Sequence, residues 1–247
     1  MILVEPTVHW ISKDGFNSFL EKRKIKWRPE AETFEENLFE FAGRLCYESW
    51  ETEGGFENKN LTKIREGNKN YLSNLIKQGH LSVFEHGGPL VFLFENVSRV
   101  FTHELVRHRV GCAYSQTSGR YVRGDNIKFW LPPSLNNVSE EIIDTVTLIE
   151  HSYKRLESLS GINKMTDFAD KKKLTSALRR ILPNGQANNI LMSLNHRAMR
   201  HIITMRTSAG AEEEMRLVIG KLAETMKTNY PAIYQDMKEE NGAYFFA

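Results

Sequence analysis

Apolar side chains recur at steps of three and four over residues 31–47, where Phe34, Leu38, Phe41 and Leu45 fall on one face and predict an amphipathic helix. The same spacing predicts helices over 14–22, 61–80 (ended by Gly79), 96–109 (Val97, Val100, Phe101 and Leu105 inward), 171–182, 196–206 and 211–227. Residues 139–161 read as a long helix with Ser139 as N-cap, Glu140 and Glu141 in its first turn, and Gly161 as its stop. Looser alternation in ILVEPTVHWI (2–11) predicts a first strand. The short apolar runs PLVFLFE (89–95), with Pro89 at its start, and NNILMSLN (188–195) predict two more. GHLSVFEHGG (79–88) reads as a polar turn, FWLPPS (129–134) as a break, and Pro183-Asn184-Gly185 as the end of a helix. The fold class expected is α+β: a small mixed sheet surrounded by helices.

Composition adds little to this and excludes some partners. The 247 residues are 40% hydrophobic and 26% charged, with no Pro/Gly/Ser-rich linker and no internal repeat, so residues 1–247 are expected to form a single domain. A net charge of +2 gives no reason to expect nucleic acid or membrane as partner. Two cysteines, Cys46 and Cys112, are too few for a disulfide framework. The N-terminal residues lack a signal-peptide pattern and no segment is long enough to span a bilayer, so a cytoplasmic location is expected.

The distribution of the cations is more telling than their sum. Residues 99–123 contain Arg99, Arg107, Arg109, Arg120 and Arg123 and no Lys; residues 179–216 contain Arg179, Arg180, Arg197, Arg200, Arg206 and Arg216 and again no Lys. A planar guanidinium is favoured over an ammonium where carboxylate or phosphate must be gripped bidentately. Structural salt bridges are the plain alternative.

Four constellations could carry chemistry. In RHRVGCAYSQTSGRY (107–121), Gln116, Ser118, Gly119 and Arg120 combine short donors, a bare backbone and a forked cation, a combination suited to phosphate. His108 lies four residues beyond Glu104 and shares its helical face. In NHRAMRHIITMR (195–206), Arg206 falls in one stripe with Met199, Ile202 and Ile203, so it needs either an internal carboxylate or a ligand. His201, alone on a helix face, has a weaker case. His80, Ser82, Glu85 and His86 cluster in the turn, but His103 and His108 are five apart, roughly 140° around a helix, and cannot share a metal from one face. No cysteine pair has zinc spacing, so no metal is expected. Cys112 or Ser118 as nucleophile lacks a third group to orient a base.

With these motifs quoted, the chain resembles the flavin-dependent thymidylate synthases. Arg107-His108-Arg109 followed by Ser118-Gly119-Arg120-Tyr121 is similar to that family's R-H-R signature; GHLSVFEH, LRRILP and NHRAMRHIITMR are similar to its other three motifs, in the same order. The resemblance implies reductive methylation of dUMP to dTMP, with methylenetetrahydrofolate as carbon donor, FAD as cofactor and NADPH as hydride source, in a homotetramer. It implies that Ser82, Arg107, His108, Arg109, Gln116, Asn195, Arg197 and His201 hold the flavin. Substrate would be held by Glu104, Arg107, Gln116, Thr117, Ser118, Gly119, Arg120, Arg179 and Arg206, with Arg206 favouring ionisation at N3 of the uracil. Three departures stand beside it: a spacer one residue longer after Arg109, Glu104 and Gln116 where Gln and Glu are common, and Gly210 where a His is common. They leave a different acceptor nucleotide, such as a cytosine nucleotide, or a hydroxymethylated product as the alternative.

Overall fold

The computed structural model describes residues 11–56, 58, 64 and 66–247. The strand expected over 2–11 and most of the first turns of the helix expected over 61–80 lie outside the described residues. Chain order gives α1 (Phe16–Lys22), α2 (Phe34–Tyr47), the two-residue strands β1 (Glu51–Thr52) and β2 (Gly55–Phe56), α3 (Asn68–Lys77), β3 (Leu90–Ser98), α4 (Arg99–Leu105) and β4 (Cys112–Gln116). There follow α5 (Ser139–Ser160), α6 (Phe168–Leu178), β5 (Ala187–Leu194), α7 (His196–Thr207), α8 (Glu213–Asn229), β6 (Met237–Glu240) and β7 (Ala243–Phe246). The α+β class is confirmed. No helix among the described residues is long and apolar enough to cross a membrane.

The central sheet has the order β3-β5-β4. It was expected to be mixed; both of its pairings are antiparallel, Leu90↔Leu194 to Phe94↔Ile190 on one side and Cys112↔Leu194 to Gln116↔Ile190 on the other. The reason is connectivity. β3 and β4 run the same way but leave a gap between them that α4 crosses, and β5 later fills that gap in the opposite direction. Leu90, Phe94, Ile190, Met192 and Leu194 face inward against Phe101 and Leu105 of α4, Met199, Ile202 and Ile203 of α7, and Met215 and Ile219 of α8.

Helix α2 corrects its expected face. Leu45 is 53% exposed, while Phe39, Glu40 and Arg44 are buried. The helix lies between two apolar clusters, Phe39 joining the main core and Phe41 joining Phe16, Leu20, Ile25 and Trp50, so its buried surface is wider than one stripe. Thr33 caps it, accepting from the Glu36 amide at 3.3 Å. Arg44 and Glu40 form an ion pair with both side chains 1% exposed, satisfied further by Trp27 Nε1 (2.9 Å), Asn68 Nδ2 (2.7 Å) and the Ser49 carbonyl (2.8 Å).

The helix expected over 96–109 is shorter at both ends. β3 continues through Ser98 past an irregularity between Phe94 and Val97, with Asn96 at φ 56°, and the Ser98 hydroxyl accepts from the Phe101 amide at 3.0 Å to start α4. Arg107, His108 and Arg109 therefore sit in a loop. In α5, Ser139 is the first helical residue and not the N-cap; Val138 occupies that place without a side-chain bond, because a two-turn 3-10 segment over Pro133–Val138 leads straight into the helix. Gly161 does end it, at φ 69°.

Candidate active site

The loop that carries Arg107, His108 and Arg109 runs from the end of α4 to β4, and it is tied at both edges. Tyr114, pointing inward from β4, places its hydroxyl 3.0 Å from the Leu105 carbonyl and 2.7 Å from the His108 carbonyl. Gly111 takes φ 71°, and a Cβ there would meet Asn195 Nδ2 at 2.6 Å, so this position accepts glycine alone on two counts. Asn195 caps α7, its Oδ1 accepting from the Ala198 amide at 2.8 Å.

Across the loop lies α7, whose stripe Met199, Ile202 and Ile203 is buried and leads to a half-buried Arg206. Of the two partners open to it from the sequence, the structure shows the internal carboxylate. Nη1 donates to Glu104 Oε2 at 2.6 Å, Nη2 to the Glu104 carbonyl at 3.1 Å, and Nε to His108 Nε2 at 2.7 Å. An imidazole that accepts at Nε2 is neutral and carries its proton on Nδ1. Burial, then Arg206 and then His201 push the His108 pKa down to about 4, which keeps it in that form. The His201 ring stands 5.8 Å from that of His108. The helical face expected for Glu104 and His108 is not shared, because α4 ends at Leu105; His108 reaches Arg206 from the loop and Glu104 from the helix.

A second zone opens at the first residue of α4, Arg99. A cleft of about 350 Å³ is bordered by Thr117, Gly119, Arg99, Arg179 and Arg180, and none of the described residues that line it is acidic. Gly119 lets the Arg179 side chain lie against the loop: a Cβ on Gly119 would be 3.4 Å from Arg179 Cδ. Ser118 folds the loop by accepting from the Tyr121 and Val122 amides, both at 3.0 Å, and its hydroxyl accepts from the Arg120 amide at 3.3 Å. Gln116 points inward and donates to Thr102 Oγ1 at 2.9 Å, tying β4 to α4. Arg99 starts α4 and Glu104 is near its end. Five residues of helix rise, about 7.5 Å along the axis, separate the backbone of Arg99 from that of Glu104.

The arginines divide into two groups. Arg123, Arg197, Arg200 and Arg206 are paired with Glu157, Glu85, Asp236 and Glu104. Arg99, Arg107, Arg109, Arg120, Arg179, Arg180 and Arg216 have no ion pair among the described residues. Ser82 is exposed on the 3-10 turn Leu81–Glu85, which the Arg197–Glu85 pair joins to α7. His201 is exposed one turn beyond Arg197. Cys112 is a poor nucleophile here: burial pushes its thiol pKa up, and its Sγ lies 3.6 Å from the Val110 carbonyl.

Sequence reasoning missed two side chains of this region, Tyr114 and Asn184. Tyr114 sits in CAYSQ, whose alternation is too weakly apolar to announce a strand; Asn184 appeared only as a turn residue, yet it borders the arginine cleft.

Residues 30–232 match the family described as thymidylate synthase complementing protein. The chain is 32% identical to the flavin-dependent thymidylate synthase of Corynebacterium diphtheriae over 230 residues, covering 90% of this chain and 87% of that protein. It is 33% identical to the enzyme of the same name from Mycobacterium marinum over 228 residues, covering 89% and 86%.

Proposed function

The chain belongs to the thymidylate synthase complementing protein family, and from that premise we propose that it is a flavin-dependent thymidylate synthase, converting dUMP to dTMP. The observation that carries the reading is the pairing of two zones along α4: an acid-free arginine cleft at one end and a polarising Arg206 at the other, separated by the scale of a mononucleotide. The phosphate is assigned to Thr117, Ser118, Gly119, Arg120 and Arg179, with Arg99 added from the cleft; the pyrimidine is assigned to Glu104, Gln116 and Arg206. Arg206 keeps two N–H groups beyond those bound to His108 and Glu104, enough to meet a carbonyl or a negative N3 of the ring.

The residues left over fit a flavin dinucleotide. Arg107 and Arg109 are exposed cations without acids, as a pyrophosphate requires, and Ser82, His108, Asn195, Arg197 and His201 lie on the turn, loop and helix around them. The bound flavin supplies the hydride chemistry, drawn from NADPH, and methylenetetrahydrofolate the carbon. What the protein contributes is orientation and charge: cations to hold two phosphate groups, a neutral His108 to steady Arg206, and no thiol. We also assign it a homotetrameric state.

The test is the purified protein's visible spectrum before and after dUMP, followed by product analysis with dUMP, methylenetetrahydrofolate and NADPH. A flavin band that shifts on adding dUMP, with dTMP formed, is expected. A protein that takes up no FAD, or one whose bound flavin is indifferent to dUMP, would refute the assignment.

A further inference from the structure

We propose that Tyr114 is a positioning residue: its hydroxyl fixes the turn that presents His108 to Arg206, and through His108 it sets the guanidinium at the pyrimidine. This rests on the role given to Arg206 above.

The geometry is a relay of three contacts. Tyr114 is the third residue of β4, paired with Met192 of β5, so its phenol leaves a rigid, doubly anchored position. Its hydroxyl reaches the carbonyl of Leu105, the last residue of α4, and the closer carbonyl of His108. Burial pushes the Tyr114 pKa well above its ordinary value, so the phenol remains a donor. The rest of the turn is held by weaker geometry: the His108 amide to the Leu105 carbonyl at 3.2 Å and the Cys112 amide to the Arg109 carbonyl at 3.4 Å. Losing the phenol contact therefore frees the His108 carbonyl and leaves that backbone held by its longer amide bond.

The His108 ring faces Arg206 and His201 from α7 and lies beside Glu104 from α4, with Arg107 and Arg109 as chain neighbours. Its neutral form depends on being held against α7, because burial is the largest cause of its low pKa. A loosened turn hydrates the ring and raises its pKa toward 6.5. Once protonated, the ring cannot accept from Arg206 Nε and repels it.

Tyr114→Phe keeps the ring and its packing and removes only the hydroxyl. The full-length flavin-loaded protein, labelled with ¹³C-histidine, is titrated by NMR, with the His108 signal assigned by its loss in His108→Gln. Wild type is expected to titrate near 4 and Tyr114→Phe nearer 6. The variant should keep its flavin spectrum, turn over about tenfold more slowly, a loss equal to one hydrogen bond, and gain an acid limb in its pH–rate profile that wild type lacks. A His108 titration at the same pH in both proteins overturns the proposal, as does a wild-type value at the ordinary 6.5. If neither protein makes dTMP but the titration shifts, the positioning role stands and the functional reading falls.

Discussion

Arg206 shows how one side chain can serve structure and chemistry together. In the free protein Glu104 balances its charge and His108 fixes its orientation, so the guanidinium is already in place when a ring arrives. Arg206→Ala should fold, since the site is only half buried, and should retain flavin while leaving Glu104 as an uncompensated anion beside an anionic substrate. Turnover is expected to fall by about a hundredfold or more, the scale of losing one preorganised donor; steady-state rates alongside the flavin spectrum check this, and a wild-type rate would remove the role. His196 illustrates the opposite case, a titratable group used only for packing. It is fully buried, its Nδ1 3.1 Å from the Tyr234 hydroxyl, its Nε2 without a polar partner and its ring set against Phe39 and Tyr230. Burial, then Arg200, push its pKa from 6.5 to about 4. The unfolded chain binds a proton below 6.5 that the folded chain refuses until about 4, so stability is fully present above 6.5 and falls as pH drops through that window. The loss over the whole window is on the order of 3 kcal/mol. Urea midpoints measured from pH 7 to 4 should fall in wild type and fall less in His196→Gln.

Elements are joined by buried polar contacts that link distant stretches of chain. Glu214, in the first turn of α8 and 1% exposed, accepts from the Ser98 amide at 2.8 Å and from the Ser98 hydroxyl, and that same hydroxyl caps α4. Glu214→Ala strands two donors in the core and loosens the helix that carries Arg99 and Glu104. A cost of about 2 kcal/mol is expected, with Glu214→Gln milder because its amide oxygen still accepts from Ser98; thermal melts of the two variants separate this from simple cavity formation. Helix α7 was legible from its apolar stripe, and α5 and α8 from the acids in their first turns, with Gly161 ending α5. β4 was not, since Cys112, Tyr114 and Gln116 are only half buried and alternate with Ala113 and Ser115. The β6–β7 hairpin carried a signal that went unread: Asn241-Gly242, both at positive φ, join a polar MKEE to AYFF. At the site, the arginine clusters could be seen in the sequence, but which arginines are neutralised could not. Arg206 and Glu104 are 102 residues apart, and no local pattern connects them.

At the scale of the whole molecule, the described residues cover the central sheet on one face only. On the other, Val91 and Leu93 of β3 and Leu191 of β5 are 57%, 58% and 41% exposed, and Leu93 pairs directly with Leu191. Small residues surround them: Ala113 and Ser115 on β4 and Ser193 on β5. A flat cluster of large apolar side chains ringed by small ones is costly to leave in water and well shaped for burial against another chain. The same face borders Gly111 and Cys112, where the arginine loop ends, and Asn195, which caps α7, so whatever covers it also closes over part of the candidate flavin site. The proposed homotetramer meets both requirements. Light scattering should then report a particle of about four times 28.6 kDa for wild type. Leu93→Lys places a charge at the centre of the cluster without touching the core, and should yield a smaller particle with weakened flavin retention. Monomeric wild type would refute the assembly; an intact tetramer in Leu93→Lys would place the interface on another surface.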